Sequence, residues 1–207
     1  MQTSDIKSLT LSAFLGKRLP IIMMIVGVAA LAGLAALGSF DKKQAYFAYL
    51  FALTFCLSLS LGSLFFVLLA WLSKAGWSVI LRRVPEVLAG NFVLLSVLFV
   101  PIVFGLQNLY PWANHELVKE NHALAHRSGW LNPTFFSIRL AFYFAIWVGL
   151  SMFFRGQSKK QDNSTDRSPT LRMQGRAGIS IVLYGLTQTF AAFDILMSLH
   201  PVWFSTI

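Results

Sequence analysis

Cysteine is almost missing from this chain: Cys56 is the only one in 207 residues. A lone cysteine excludes an intrachain disulfide, a cysteine-ligated cluster and a CxxCH haem attachment. Charge is scarce as well. Asp, Glu, Lys and Arg make up 12% of the chain, against about 25% in an ordinary soluble domain. Acidic residues are the scarcest, 8 against 17 Lys+Arg, for a net charge of +9. The sequence contains no Walker loop, no GxGxxG before a helix, no nucleophile elbow and no paired catalytic carboxylates. These absences exclude a disordered chain, a nucleic-acid-binding arm and a typical cytosolic enzyme with a self-contained active site. What is abundant is apolar: 56% of residues are hydrophobic, and 19 are Phe. The basic excess lies between the apolar stretches, which marks membrane flanks rather than a phosphate-binding surface.

A bilayer core about 30 Å thick needs about 20 apolar residues as a helix. Five stretches qualify: 19–37, 46–72, 87–109, 134–154 and 177–199. The first two carry no charge, the fourth is broken only by Arg139 and the fifth only by Asp194. Each run is continuous rather than alternating, so helices are expected and not strands. The fold class is therefore all-α integral membrane, five transmembrane helices in a bundle.

Orientation follows from Lys and Arg. The amino-terminal segment and the connections after spans two and four together hold twelve of them, and the opposite side holds five. The richer side is expected to be cytoplasmic, with the N-terminus cytoplasmic and the C-terminus periplasmic. A cleaved leader ending at Ala30-Leu31-Ala32 competes for the first run. The run continues past that point and its polar leader is long, so a retained span is expected. The organisation is then a basic cytoplasmic lead-in (1–18) and a four-helix membrane bundle (19–154) with an outer loop (110–132). A flexible cytoplasmic loop (155–176) and the fifth helix with its outer end (177–207) complete it.

Local signals fix several boundaries. Asn132-Pro133 is an N-cap followed by proline at the first helical position, and Pro85 does the same for span three. His200-Pro201 stops span five. Pro101 lies inside span three and should kink it. Ala29/Gly33 and Ser58/Gly62 are spaced for close helix approach, with plain bundle packing as their ordinary role. Cys56 is expected to be a small buried apolar residue. Trp112, Trp130 and Trp203 at the outward ends, with Trp71 and Trp77 at the inward ends, read as an interfacial belt without chemistry.

Charges inside lipid are costly and are usually paired or functional. Asp194 lies about four residues, about 6 Å, from the outer end of span five. Arg139 lies about six residues, about 9 Å, from the outer end of span four. Their similar depth admits two roles: an Arg139–Asp194 pair that orders the bundle, or an Asp194 that accepts protons on a path to the outer face. Glu86 falls in the first turn of span three, after Arg82 and Arg83, where it either complements the helix N-terminus or takes up protons from the cytoplasmic side. Asn91, Gln107, Thr187 and Gln188 are uncharged polar groups within the spans, as glue between helices or as the lining of a hydrated path. All four histidines lie outside the apolar core, so a bundle-bound diheme cytochrome b is excluded. His122 and His126 share i, i+4 spacing but supply too few ligands for a metal site, which leaves a wet docking surface.

Three segments carry the reading further. One is Trp77-Ser78-Val79-Ile80-Leu81-Arg82-Arg83-Val84-Pro85-Glu86. Another runs from Leu109-Tyr110-Pro111-Trp112 through Leu131-Asn132-Pro133 and Arg139 to Tyr143-Phe144 and Trp147. The last runs from Leu171-Arg172-Met173 through Phe190 and Asp194 to Pro201-Val202-Trp203-Phe204-Ser205-Thr206. Together they resemble the second NrfD-like membrane subunit (quinone-binding subunit 2) of alternative complex III, a bacterial quinol:cytochrome c oxidoreductase. The likeness spans most of the chain and is most specific in the last segment.

The resemblance implies a non-haem integral subunit in the bacterial inner (cytoplasmic) membrane. It would support the quinone subunit and contribute to proton translocation, with no cofactor bound by this chain. Quinone, haem c and iron–sulfur clusters are expected in partner subunits: other membrane subunits of the respiratory complex, and c-type cytochrome and iron–sulfur subunits on the outer face. By position Glu86, Arg139 and Asp194 match the family segments, as proton-path or ion-pair candidates. The family's chain continues past the last segment into further helices, so this sequence corresponds to an N-terminal half. A stand-alone membrane scaffold or transporter half is the alternative, and a truncated inactive product a third. A transporter should show a broken helix and a midplane substrate site, of which Pro101 is the only hint.

Overall fold

The computed structural model describes residues 13–120, 122–162 and 166–201. Among them every regular element is helical, and five helices are long and apolar enough to cross a membrane. The protein is an all-α, multi-pass membrane protein. It forms two compact units, Met1–Ala45 and Tyr46–Ile207.

The first unit holds helix α1 (Ala13–Phe40), whose described side chains include none that is buried. Asp41 ends it and starts α2 (Lys42–Leu72), because Asp41 Oδ1 accepts the Gln44 N–H at 3.1 Å as an N-cap.

In the second unit α2 buries one stripe, including Leu50, Leu53, Leu57, Leu64 and Leu68, at helical spacing. Cys56 falls off that stripe and is exposed, contrary to the sequence expectation of burial. Ser58 and Gly62 fall off it too. Neither Gly33 nor Gly62 has a described atom within 4 Å of where a Cβ would stand, so the small-residue spacings do not mark close approaches here. The tight contacts are made by Gly90 and Gly105 instead. A side chain at Gly105 would run into the Tyr46 ring, and one at Gly90 into the Arg155 guanidinium.

Span three is broken into α3 (Arg83–Ala89), α4 (Phe92–Leu98), α5 (Val100–Phe104) and α6 (Leu106–Leu109). It starts one turn earlier than its apolar run, and Pro85 sits at the third helical position rather than the first. The break at Phe99 agrees with the kink expected from Pro101. There the Ile102 N–H turns to Phe99 O at 3.1 Å. That leaves Leu98 O without a helical partner, and the Tyr49 hydroxyl donates to it at 2.6 Å. In lipid a freed backbone carbonyl must find such a donor, since no water reaches it.

After the short helices α7 (His115–Glu120) and α8 (His122–Arg127), Asn132 caps α9 (Pro133–Asp162) as expected, its Oδ1 accepting the Phe135 N–H at 2.8 Å. Helix α9 packs along α10 (Ser168–Ile195), and α3 and α4 pack on α9. The centre is aromatic: Trp147 lies 5.7 Å from Phe92 and 5.3 Å from Phe144, ring centre to ring centre. Lipid tails are as apolar as these side chains, so packing and polar contacts hold the helices together, not the hydrophobic effect.

The expected cytoplasmic loop at 155–176 is largely helix. Helix α9 runs on to Asp162 and α10 begins at Ser168. Hydropathy marks where lipid ends, whereas Lys and Gln remain good helix formers in water. The Ser168 N–H and hydroxyl both donate to the Asp166 carboxylate, at 3.0 and 2.6 Å. Those bonds hold that carboxyl below its ordinary range.

Candidate functional site

Two polar clusters stand at opposite ends of the second unit. The first joins Arg139 of α9 to Asp194 of α10. Arg139 Nε donates to Asp194 Oδ2 at 2.7 Å and Nη2 to Oδ1 at 2.8 Å, a bidentate pair. The Tyr143 hydroxyl adds a bond to Oδ2 at 2.8 Å, and Trp130 Nε1 one to Oδ1 at 3.3 Å. Each carboxylate oxygen therefore has two donors. The third guanidinium nitrogen of Arg139 donates to Trp130 O at 3.0 Å. The guanidinium carbon also lies 4.3 Å from the Trp130 ring centre and 4.4 Å from that of Phe135. Both charged residues are buried.

Beside this cluster the end of α10 is tied down by aromatic donors. The Tyr110 hydroxyl bonds Ile195 O at 2.9 Å, and Trp112 Nε1 bonds Ser198 O at 3.1 Å. The Ser198 hydroxyl donates to Asp194 O. These are carbonyls that a helix end leaves unpaired. A cleft of about 380 Å³ opens next to them, walled by Trp130, Phe193 and Met197 and edged by His126 and His200. Asp194 reaches its floor with all four acceptor positions already filled. The site can hold a charge pair in place, but it offers no free carboxylate oxygen to a ligand.

The second cluster surrounds Glu86. Arg83 Nη1 donates to Glu86 Oε2 at 3.2 Å, and Arg83 also pairs with Asp162 at the end of α9. Arg82 Nε lies 3.2 Å from Glu86 Oε1, but the two are not aligned as a hydrogen bond, so they attract only as charges. Arg82 also lies over the Trp71 ring at 4.4 Å, and burial pulls its guanidinium below the ordinary arginine value. With Arg83 against Asp162 and Gly90 against Arg155, the antiparallel register of α3 and α9 brings Glu86 level with Ser158. Among the described residues, the buried side-chain atoms lacking a hydrogen bond are Trp71 Nε1, Arg82 Nε, Glu86 Oε1, Gln157 Oε1 and Ser158 Oγ. All five belong to this end.

The structure thus brings Arg139 and Asp194 together, as one of the two sequence-derived roles required, and keeps Glu86 apart from them. Sequence reasoning missed Trp130 and Tyr143. Tyr143 was within reach of a rule, since it follows Arg139 by four residues on the same helical face. Trp130 acts partly through its backbone carbonyl, which no side-chain pattern reports. The aromatic belt needs correction too: Trp112 and Trp71 are buried packing residues, Trp77 and Trp130 are exposed, and Trp203 lies outside the described residues. Of the four uncharged polar residues expected from the sequence, Thr187 is buried, accepting from Trp147 Nε1 at 3.0 Å, while Asn91, Gln107 and Gln188 face outward. The side chain of His122 is likewise outside the described residues. No protein-family model matches the chain, and no curated protein sequence does.

Proposed function

We propose that this chain is a non-haem integral subunit of a respiratory quinol:cytochrome c oxidoreductase of the alternative complex III kind, held in a bacterial inner membrane. In this reading it supports a quinone-binding membrane subunit. Electrons pass from quinol to haem c and iron–sulfur proteins at the outer face without entering this chain. The N-terminus faces the cytoplasm and the C-terminus the periplasm.

One observation carries the reading. Two of the three segments on which the resemblance rests grip each other. Tyr110, Trp112, Arg139, Tyr143 and Trp147 of the second segment bond Ile195, Ser198, Asp194 and Thr187 of the third. A motif shared with a family for its architecture should consist of such residues. The two acidic groups divide the work: Asp194 is locked and orders the outer end, whereas Glu86, with an unbonded buried oxygen at the arginine-rich end, is the group we assign to proton uptake.

Purification of the tagged chain from its native membrane in mild detergent tests the reading. Co-purifying c-type haem, seen as a reduced-minus-oxidised absorbance band, together with iron–sulfur protein is the expected result. Recovery as a haem-free homo-oligomer would point instead to a stand-alone scaffold or transporter half.

A further inference from the structure

Helix α2 ends in a Schellman cap: Ala75 N–H bonds Ala70 O at 3.0 Å and Lys74 takes the left-handed conformation at φ 52°. This turns the chain sideways into a short 3₁₀ turn, Gly76–Val79, before α3 begins. The sideways segment is too short to cross a membrane, yet it points large apolar side chains outward. Trp77, Val79, Leu81 and Val84 are all exposed, and Ile80 is 88% exposed. Its one buried residue in the turn, Ser78, is occupied with Ala75 O at 2.7 Å. A loop bathed in water does not present such a surface; a segment lying in the headgroup–acyl boundary does.

The charges beside it are unbalanced. Lys74 opens the segment, and three guanidinium groups, Arg82, Arg83 and Arg155, stand against two carboxylates, Glu86 and Asp162. Arg155 has no carboxylate within ion-pairing distance among the described residues. It is half-buried where the apolar part of α9 ends, after Phe153 and Phe154. Arg83 is 42% exposed and is oriented from behind by Glu86 and Asp162. A part-exposed Arg83 beside an apolar shelf, with the surplus charge of Arg155 opposite Gly90 about two turns along α3, suits a single lipid phosphate.

We propose that this end of the second unit binds one acidic phospholipid, its phosphate on Arg83 and its acyl chain along Trp77, Ile80 and Val84. Arg155 supplies the surplus charge that favours an anionic over a zwitterionic headgroup. This goes beyond the respiratory reading and stands without it.

The test is native mass spectrometry of the full chain in detergent. Phosphatidylglycerol and phosphatidylcholine with the same acyl chains are supplied in equal amounts. One retained phosphatidylglycerol per chain is expected, with a preference of about fivefold for each basic residue engaged. Arg155→Gln should lower that preference about fivefold with its circular dichroism unchanged. Should that variant fail to fold, Arg83→Lys keeps the charge while losing the planar fork, and should weaken retention severalfold. Ile80→Ser should weaken retention of both lipids. Equal retention of the two lipids by the natural chain, an unchanged preference in Arg155→Gln, or unchanged retention in Arg83→Lys would overturn the proposal. Displacement of the lipid by millimolar inorganic phosphate would also overturn it, because the site would then be one for a soluble anion.

Discussion

The two ends of the second unit use the same chemistry, arginine against a buried carboxylate, with opposite outcomes. At the Asp194 end every acceptor position is filled and the guanidinium packs against an edge-to-face pair of rings, Trp130 and Phe135. At the Glu86 end two arginines share one carboxylate, one of its oxygens is unbonded, and four neighbouring polar atoms are unbonded too. A saturated pair is a fastening. An unsaturated one leaves buried polar groups with unused hydrogen-bonding capacity. Burial and charge alone do not separate the two cases; the count of donors around each oxygen does.

The largest expected effect breaks the fastening. Asp194→Asn leaves Arg139 buried without its counter-charge, which should cost about 3–5 kcal/mol. Heating in detergent followed by size-exclusion chromatography should show the loss as a markedly lowered midpoint of aggregation. Exchanging the two charges, Arg139→Asp with Asp194→Arg, should recover only part of it. Tyr143 and Trp130 would then face a guanidinium with donors of their own.

How much of this was legible in the sequence differs between the two ends. Matching depth made the Arg139–Asp194 pair one of the two roles open to these residues, because two isolated charges at the same level of neighbouring spans have few other partners. Asn132 and Pro101 announced a helix start and a helix break through local rules, and both are found. The donors that saturate Asp194 were not legible as a set, since they combine a guanidinium, a phenol four residues along the same helix and an indole from the loop before it. The register that brings Glu86 level with Ser158 was hidden for another reason. It depends on α9 continuing seven residues beyond Arg155, where hydropathy had signalled a loop.

A smaller effect tests whether packing outside the clusters is equally tight. Gly105→Ala places a methyl group against the Tyr46 ring and should destabilise by about 1–3 kcal/mol, read in the same thermal assay. Gly62→Ala, with open space around it, serves as the matched control and should leave the midpoint unchanged.

The smallest effect lies outside the membrane. The Asp166 carboxyl is held below its ordinary range by Ser168, so its contribution is present above the unfolded-state value and is lost as pH falls through the lowered folded-state value. Asp166→Asn should remove that acid-side dependence. Hydrogen exchange at the first turn of α10 should quicken slightly at neutral pH, with the outer cluster unaffected.

The division of labour between the two carboxylates is tested most directly by infrared titration of the full chain in lipid, following the carboxyl C=O stretch of protonated side chains. A band that appears on acidification and is missing from Glu86→Gln is the expected result. A band that survives in Glu86→Gln and disappears in Asp194→Asn would contradict the account, since the fastened carboxylate would then be the one exchanging protons.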